Sequence, residues 1–363
     1  MPFNYHRYGS YIGSDLALLD KAGKFDIVTG QLVGDSLFQF TSFTFTNAGA
    51  TGVNGPSLTT LRNTYNTTTY PWINDSSFFD QGEYQGFQKF TIPKAGEYRI
   101  TAKGGGGGQK SHLSYRSGTW RPFGAQVVAT YTFDKGDQIQ IIVGQKGEDD
   151  NTYFATQNSA SEGDNAAPGG GGASYVFFAT SDTNPIVVAG GGAGGTKNTH
   201  TASNASLTTS GNSSQQSTAN GGSNGQGGGS NSGGGSYWAG AGAGWLSNGT
   251  GGNQGTVYNY LGGTNGAQGG RSPANGALGG EKHNDGINSG GDGGFGGGAG
   301  GGSDNMGTGG GGGYSGGGGG NSSIANSGGG GGGSYSNATN RVGSAAITLL
   351  SSNDHGSVLI EKL

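Results

Sequence analysis

Apolar positions along this chain come in short bursts, alternating with polar ones and closed off by turn residues. "FQKFTI" (87–92) and "EYRITA" (97–102) flank "PKAG", where Pro93 and Gly96 mark a turn. "AQVVATYTF" (125–133) and "QIQIIVG" (138–144) flank "DKGD" in the same way. "ASYVFFA" (173–179), "PIVVAG" (185–190), "AAITLL" (345–350) and "SVLIEKL" (357–363) add further β-branched and aromatic runs. One stretch has helical spacing: in "NGPSLTTLRNTY" (54–65), Leu58, Leu61 and Tyr65 fall on one face, and Pro56 suits a first turn. Short strands with turn punctuation and no long helical pattern predict an all-β chain, a β-sandwich or jelly roll, with one short helix near 56–65. Strands are expected over about 87–190 and again over 345–363, so the chain returns to a sheet after a long excursion.

That excursion is made of glycine. Of the 86 glycines, 11 lie in residues 1–103 and 75 in residues 104–363, so the character of the chain changes at Gly104. In "GGGGGYSGGGGGNSSIANSGGGGGG" (309–333) almost nothing can be buried. Such composition ordinarily makes a flexible linker, and ordering 75 glycines costs roughly 75–150 kcal/mol of backbone entropy. The alternative uses the main chain itself. A chain with three residues per turn and no internal hydrogen bonds turns every N–H and C=O outward. Without Cβ atoms, several such rods can lie side by side and bond to one another. The runs are short and repeated, at 104–108, 169–172, 190–192, 227–229, 296–298, 309–313, 316–320 and 328–333 among others. Several, among them 309–313, 316–320 and 328–333, are bounded on at least one side by Asn, Ser or Tyr, residues that turn a chain. A packed bundle of polyglycine-II helices over about 190–340 is therefore expected, a six-residue run spanning about 19 Å.

Charge narrows the function. The formal net charge of −4 gives no basic footprint for nucleic acid and no polybasic patch for anionic lipid. No stretch approaches the length of a membrane span, and "MPFNYHRYGS" carries no secretory signal pattern, so neither membrane insertion nor general secretion is expected. With no cysteine, disulfides and thiolate metal sites are excluded.

The blocks "FTNAGATGVNGPSLTTLRNTY" (45–65), "GFQKFTIPKAGEYRI" (86–100), "YTFDKGDQIQIIVGQKGED" (131–149), "GGGGASYVF" (169–177), "PIVVAGGGAGG" (185–195), "GGFGGGAGGG" (293–302) and "GGGGGYSGGGGG" (309–320) occur in this order. Together they resemble the extracellular glycine-rich domain of the anaplastic lymphoma kinase and leukocyte tyrosine kinase receptors, in the form of related modules in marine bacteriophage structural proteins. The resemblance covers 43–363. It implies a tumour-necrosis-factor-like β-sandwich carrying an array of polyglycine-II helices. Where the receptor pattern has two cysteines, this chain has Ala48 and Leu61, which implies an apolar contact in place of a disulfide. Residues 1–42 lie outside the resemblance and are expected to dock on other virion proteins. The phage form implies a non-enzymatic virion protein, made in a host cytoplasm and displayed outside. It would be a tail-fibre or tail-tip adhesin or a head fibre, as a monomer or a homotrimer, touching a host-surface glycan or protein. The alternatives are a cellular adhesin or ligand-binding ectodomain and, further off, a fibre enzyme that cleaves polysaccharide.

Specific chemistry is sparse. "RITAKGGGGGQKS" (99–111) follows a strand as a phosphate loop does, but Gln109 separates the last glycine from Lys110 and no helix pattern follows. His6, His112, His200, His283 and His355 show no metal-ligand spacing. No catalytic residue, metal or cofactor is expected. Aromatic residues are the candidates for recognition. "GGGSYWAGAGAGWLSNGTGGNQGTVYNYLGG" (233–263) gathers Tyr237, Trp238, Trp245, Tyr258 and Tyr260 where little else could form a core. These rings either cap the ends of glycine rods or form a host-contact tip offering flat apolar faces. Tyr115, Trp120 and Phe123 raise the same choice.

Overall fold

The computed structural model describes residues 24–26, 31–33, 36–110, 121–152, 166–179, 184–196, 200–215, 219–230, 238–252, 266–283, 288–302, 307–321 and 327–363. Its strands are β1 (Lys24–Asp26), β2 (Gln31–Val33), β3 (Ser42–Phe45), β4 (Phe79–Gln81), β5 (Gln88–Thr91), β6 (Gly96–Lys103), β7 (Ala125–Phe133) and β8 (Gln138–Ile142). They continue with β9 (Asn151–Thr152), β10 (Ser174–Phe178), β11 (Val187–Ala189), β12 (Asn288–Ser289), β13 (Tyr335–Ser336), β14 (Arg341–Leu349) and β15 (Ser357–Lys362). Two large antiparallel sheets result. One has five strands in the order β14-β7-β6-β15-β3, the other six in the order β13-β11-β10-β8-β5-β4. β1 with β2, and β9 with β12, form small antiparallel pairs.

Alternation decides which faces meet. In β7, Ala125, Val127, Ala129, Tyr131 and Phe133 are buried while Gln126, Thr130 and Thr132 are not, the period of a strand with one face on a core. Val127, Ala129, Tyr131 and Phe133 share one apolar cluster with Tyr98 and Ile100 of β6, Ile139 and Ile141 of β8, Val176 of β10 and Val358 and Ile360 of β15. Both sheets thus contribute to one layer, consistent with the expected all-β sandwich. β15 lies between β6 and β3, so the last run of the chain is interior to its sheet.

The one α-helix among the described residues, α1 (Leu58–Thr64), is shorter than the 56–65 expected. Ser57 caps it, its Oγ accepting the Thr60 N–H at 3.1 Å, so Pro56 lies before the cap and not in the first turn. Leu61 and Ala48, the two positions expected to replace a disulfide with an apolar contact, are both buried in the shared apolar cluster. Ala48 sits in a tight turn at φ 49°, followed by Gly49 at φ 77°. Phe38 and Phe40, within the segment assigned to docking, pack on the same cluster, and Leu37 N donates to Pro93 O.

The six-stranded sheet is covered on its other face too. Phe87, Ile142, Tyr175, Phe177 and Val188 meet Trp245, Ala277 and Phe295 in a second apolar cluster, with Tyr84, Leu278, Tyr314 and Tyr335 at its margin. Three of these covering residues, Trp245, Phe295 and Tyr314, come from turns between glycine runs.

Candidate functional site: the glycine lattice and its ends

At one end of the sandwich the strands run on into glycine. β6 leads into 104–108, β8 into 144–148 and β11 into 190–195, while β10 follows 166–173 and β13 follows 327–334. Further glycine segments at 238–244, 293–302, 309–313 and 316–320 lie among these. Their hydrogen bonds go to distant parts of the chain, and they do so with a period of three. Gly309 and Gly312 donate to Pro168 and Gly171; Gly310 and Gly313 donate to Gly240 and Ala243; Gly311 and Tyr314 donate to Gly330 and Gly333, all at 2.8–3.1 Å. Three successive residues address three different neighbours, and the fourth returns to the first. A β-strand, with period two, cannot do this.

The carbonyls of the same segment complete the ring. Gly309 and Gly312 accept from Gly194 and Gly191, Gly310 accepts from Ala299, and Gly311 accepts from Gly317. Segment 309–314 therefore donates to three neighbours and accepts from three others. Some run alongside in the same direction, as 168–171 does, and others in the opposite direction, as 191–194 does. The same step of three recurs where Ala167, Gly170 and Ala173 donate to Gly302, Ala299 and Gly296. A Cβ added at Gly309, Gly310, Gly311 or Gly312 would run into a neighbour's carbonyl oxygen. Buried polar main chain must be paired, and here the pairing itself fills the interior.

Turns close the lattice at the sheet. Trp245 N donates to Tyr314 O, Leu246 N to Gly225 O, and Gly225 N to Ser315 Oγ at 3.1 Å, so the turns near 225, 246 and 315 interlock. The opposite ends of the segments also gather. Ala167 N donates to Gly302 O, Gly302 N to Gly307 O, Gly320 N to Thr308 O, and Gln215 N to Gly328 O. Short hydroxyl side chains finish these ends: Thr308 Oγ1 accepts Gly329 N at 2.8 Å, and Ser327 Oγ accepts Asn321 N at 2.9 Å.

The five candidate host-contact aromatics separate. Tyr237, Tyr258 and Tyr260 lie outside the described residues, as do Tyr115 and Trp120. Trp238 is 3% exposed and its carbonyl accepts Ala267 N at 2.9 Å. Trp245 is 7% exposed, with ring centroids 5.2 Å from Phe177 and 6.1 Å from Tyr175. Trp245 thus covers the outer face of the six-stranded sheet, and neither tryptophan offers a free ring face. Phe123 is half-buried, its N–H held by Asn204 Oδ1 at 2.8 Å. Sequence reading missed the Tyr314–Tyr335 pair, whose rings stack at 4.3 Å and 11°. Its only signal was a lone tyrosine between two five-glycine runs.

A few of the described titratable groups are buried or paired. Burial pushes the Lys110 ammonium down to about 8, against the opposing pull of Asp150, and its Nζ donates to Ala166 O at 3.0 Å. Burial, reinforced by Lys146, holds His355 below its ordinary value; its Nδ1 accepts Lys146 N at 3.1 Å. Lys282 lies between Glu148 at 3.7 Å and Asp292 at 3.8 Å. Among the described residues no cluster of three or more His, Asp or Glu side chains could hold a metal ion, and no helix is long and apolar enough to cross a membrane.

No family model matches the chain. Over 107 residues, 29% of its length, the chain is 31% identical to the leukocyte tyrosine kinase receptor of Mus musculus. The matched stretch is 11% of that receptor, so the likeness is to one part of a much longer protein.

Proposed function

We propose that this chain is a non-enzymatic structural protein of a bacteriophage particle, a fibre adhesin or head fibre whose rigid glycine scaffold holds recognition segments away from the particle. In this reading the glycine segments are polyglycine-II helices attached to a jelly-roll, tumour-necrosis-factor-like sandwich. The observation that carries it is the three-residue step of hydrogen-bond partners around segment 309–314, with neighbours on six sides. A scaffold of this kind suits mechanical presentation. Its interior is mostly main chain, and its segments are anchored at one end by turns packed on a sheet and gathered at the other. The N-terminal segment would dock on other virion proteins, and the partner at the far end would be a host-surface glycan or protein. Neither nucleic acid nor a membrane interior is an expected partner.

Purified phage particles, probed with a gold-labelled antibody to the folded chain, test this. Labelling at one particle site, with reduced host adsorption when free protein is added, is the expected result. Particles that carry none of the protein would overturn it. The likeness to a receptor tyrosine kinase favours a second reading, a ligand-binding ectodomain or cellular adhesin. In that case the antibody would label cell surfaces in the absence of phage.

A further inference from the structure

At the end of the sandwich away from the glycine lattice, the C-terminal ends of β7 and β10 meet the residues before β11 and the turn from β13 to β14. They border a partly open pocket of about 190 Å³. Among the described residues no charged side chain lines it. Asn184, Asn337, Thr339 and Asn340 are among the residues that line it, together with Phe133 and Phe178, whose ring centroids are 5.9 Å apart.

The wall is built from groups already held in place. The Tyr131 hydroxyl at its base is taken up by Ile186 O at 2.9 Å, Ser336 Oγ at 2.7 Å and Asn337 O at 3.2 Å. Asn337 Oδ1 accepts Thr339 N at 2.9 Å, and its Nδ2 donates to Pro185 O at 3.4 Å, leaving one amide hydrogen over. Thr132 N donates to Asn340 O at 2.9 Å, which fixes the rim, and Asn340 holds φ 58°. Asn184 and Asn340 are exposed, and their carboxamides make no hydrogen bond among the described residues.

Each such carboxamide both donates and accepts, the pairing a sugar hydroxyl offers in return, and an apolar ring beside them suits the C–H face of a pyranose. None of the described lining residues carries the charge that recognition of a phosphate, carboxylate or amine would use, and the neighbouring Arg341 guanidinium is taken up by Ser336. The volume is below that of clefts for larger ligands and suits a single ring. We propose that this cavity binds one residue of a neutral saccharide. The site stands apart from the glycine lattice and from the candidate aromatics, and does not depend on the particle role.

Saturation-transfer NMR on the full chain with the methyl glycosides of glucose, galactose and N-acetylglucosamine tests the proposal. At least one should bind saturably, with a dissociation constant on the order of 1 mM. Asn184→Ala and Asn340→Gly, the latter keeping the left-handed backbone accessible, should each weaken it by about tenfold with melting temperature unchanged. No saturable transfer up to about 50 mM from any glycoside, or binding that both variants leave intact, would overturn the site. Neither result bears on whether the protein resides in particles.

Discussion

Ile100 in the sandwich and Gly312 in the glycine lattice are both sealed from water, but by different material. Around Ile100 lies a cluster of aliphatic and aromatic side chains from two sheets. Around Gly312 lies main chain, and a Cβ placed there would strike the carbonyl of Gly296. In the sandwich, close packing comes from side chains that interdigitate, and some misfit can be absorbed by rotamer changes. In the lattice the packing is between backbones locked by hydrogen bonds on all sides, with no rotamer to adjust. The two regions should therefore fail in opposite ways: one when atoms are removed, the other when a single carbon is added.

The sharpest way to break the comparison is Gly332→Ala. Its Cβ would meet the Gly312 carbonyl and the Gly313 nitrogen, neither of which can move without breaking other bonds. We expect a loss of more than about 4 kcal/mol, seen as failure to fold or collapse of the thermal transition. The same change at Gly136, in the β7–β8 turn with open space around it and φ 90°, should cost about 1–2 kcal/mol from backbone conformation alone. Equal losses at the two sites, read by denaturant titration, would erase the distinction.

Next in size is Trp245→Ala, which removes the ring lying between lattice and sheet. A loss of about 3–5 kcal/mol is expected, as for a large core aromatic. A surface tip residue would lose almost nothing, so the same melt decides between cover and contact. Ile100→Ala, wholly within the sandwich, should cost about 2–5 kcal/mol by leaving a cavity.

Extremes of pH should act through the side-chain core. Burial pushes the Tyr65 and Tyr98 hydroxyls up to about 12. Their folded values lie above the unfolded value near 10, so this stability is complete below pH 10 and is lost as pH rises from there through about 12. His355 has the other sign. Its folded value is depressed, so its contribution is present above about pH 6.5 and declines as pH falls below that. Melting temperatures from pH 5 to 12 should show both shoulders.

How much of this could be read from residues alone differs between the regions for the same physical reason. The run 125–133 coincides with β7 because its alternation of apolar and polar residues matches the pleat. β13 and β4, two and three residues long, are too short to show a period, and the start of α1 was misplaced because Pro56 and Ser57 both suit a helix beginning. In the lattice, glycine carries no pattern from which partners could be told. That Gly309 would bond to Pro168 and Gly310 to Gly240 is decided by the three-dimensional arrangement alone. Trp238 and Trp245 were ambiguous because a ring in a glycine tract has no neighbours in sequence to say whether it is covered. The smallest test lies at Ala48. Ala48→Gly relieves a non-glycine residue at φ 49° but gives up a buried methyl; each effect is worth about 1 kcal/mol, so the melting temperature should hardly move.

The step of three also bears on how such a chain can change length. Adding one residue inside 309–313 would rotate everything beyond it by about 120°, aiming each N–H at the wrong neighbour. Adding three residues restores the facing and only lengthens the column. Viable gains and losses within the columns should therefore come in triplets, while the joints between columns can take any number.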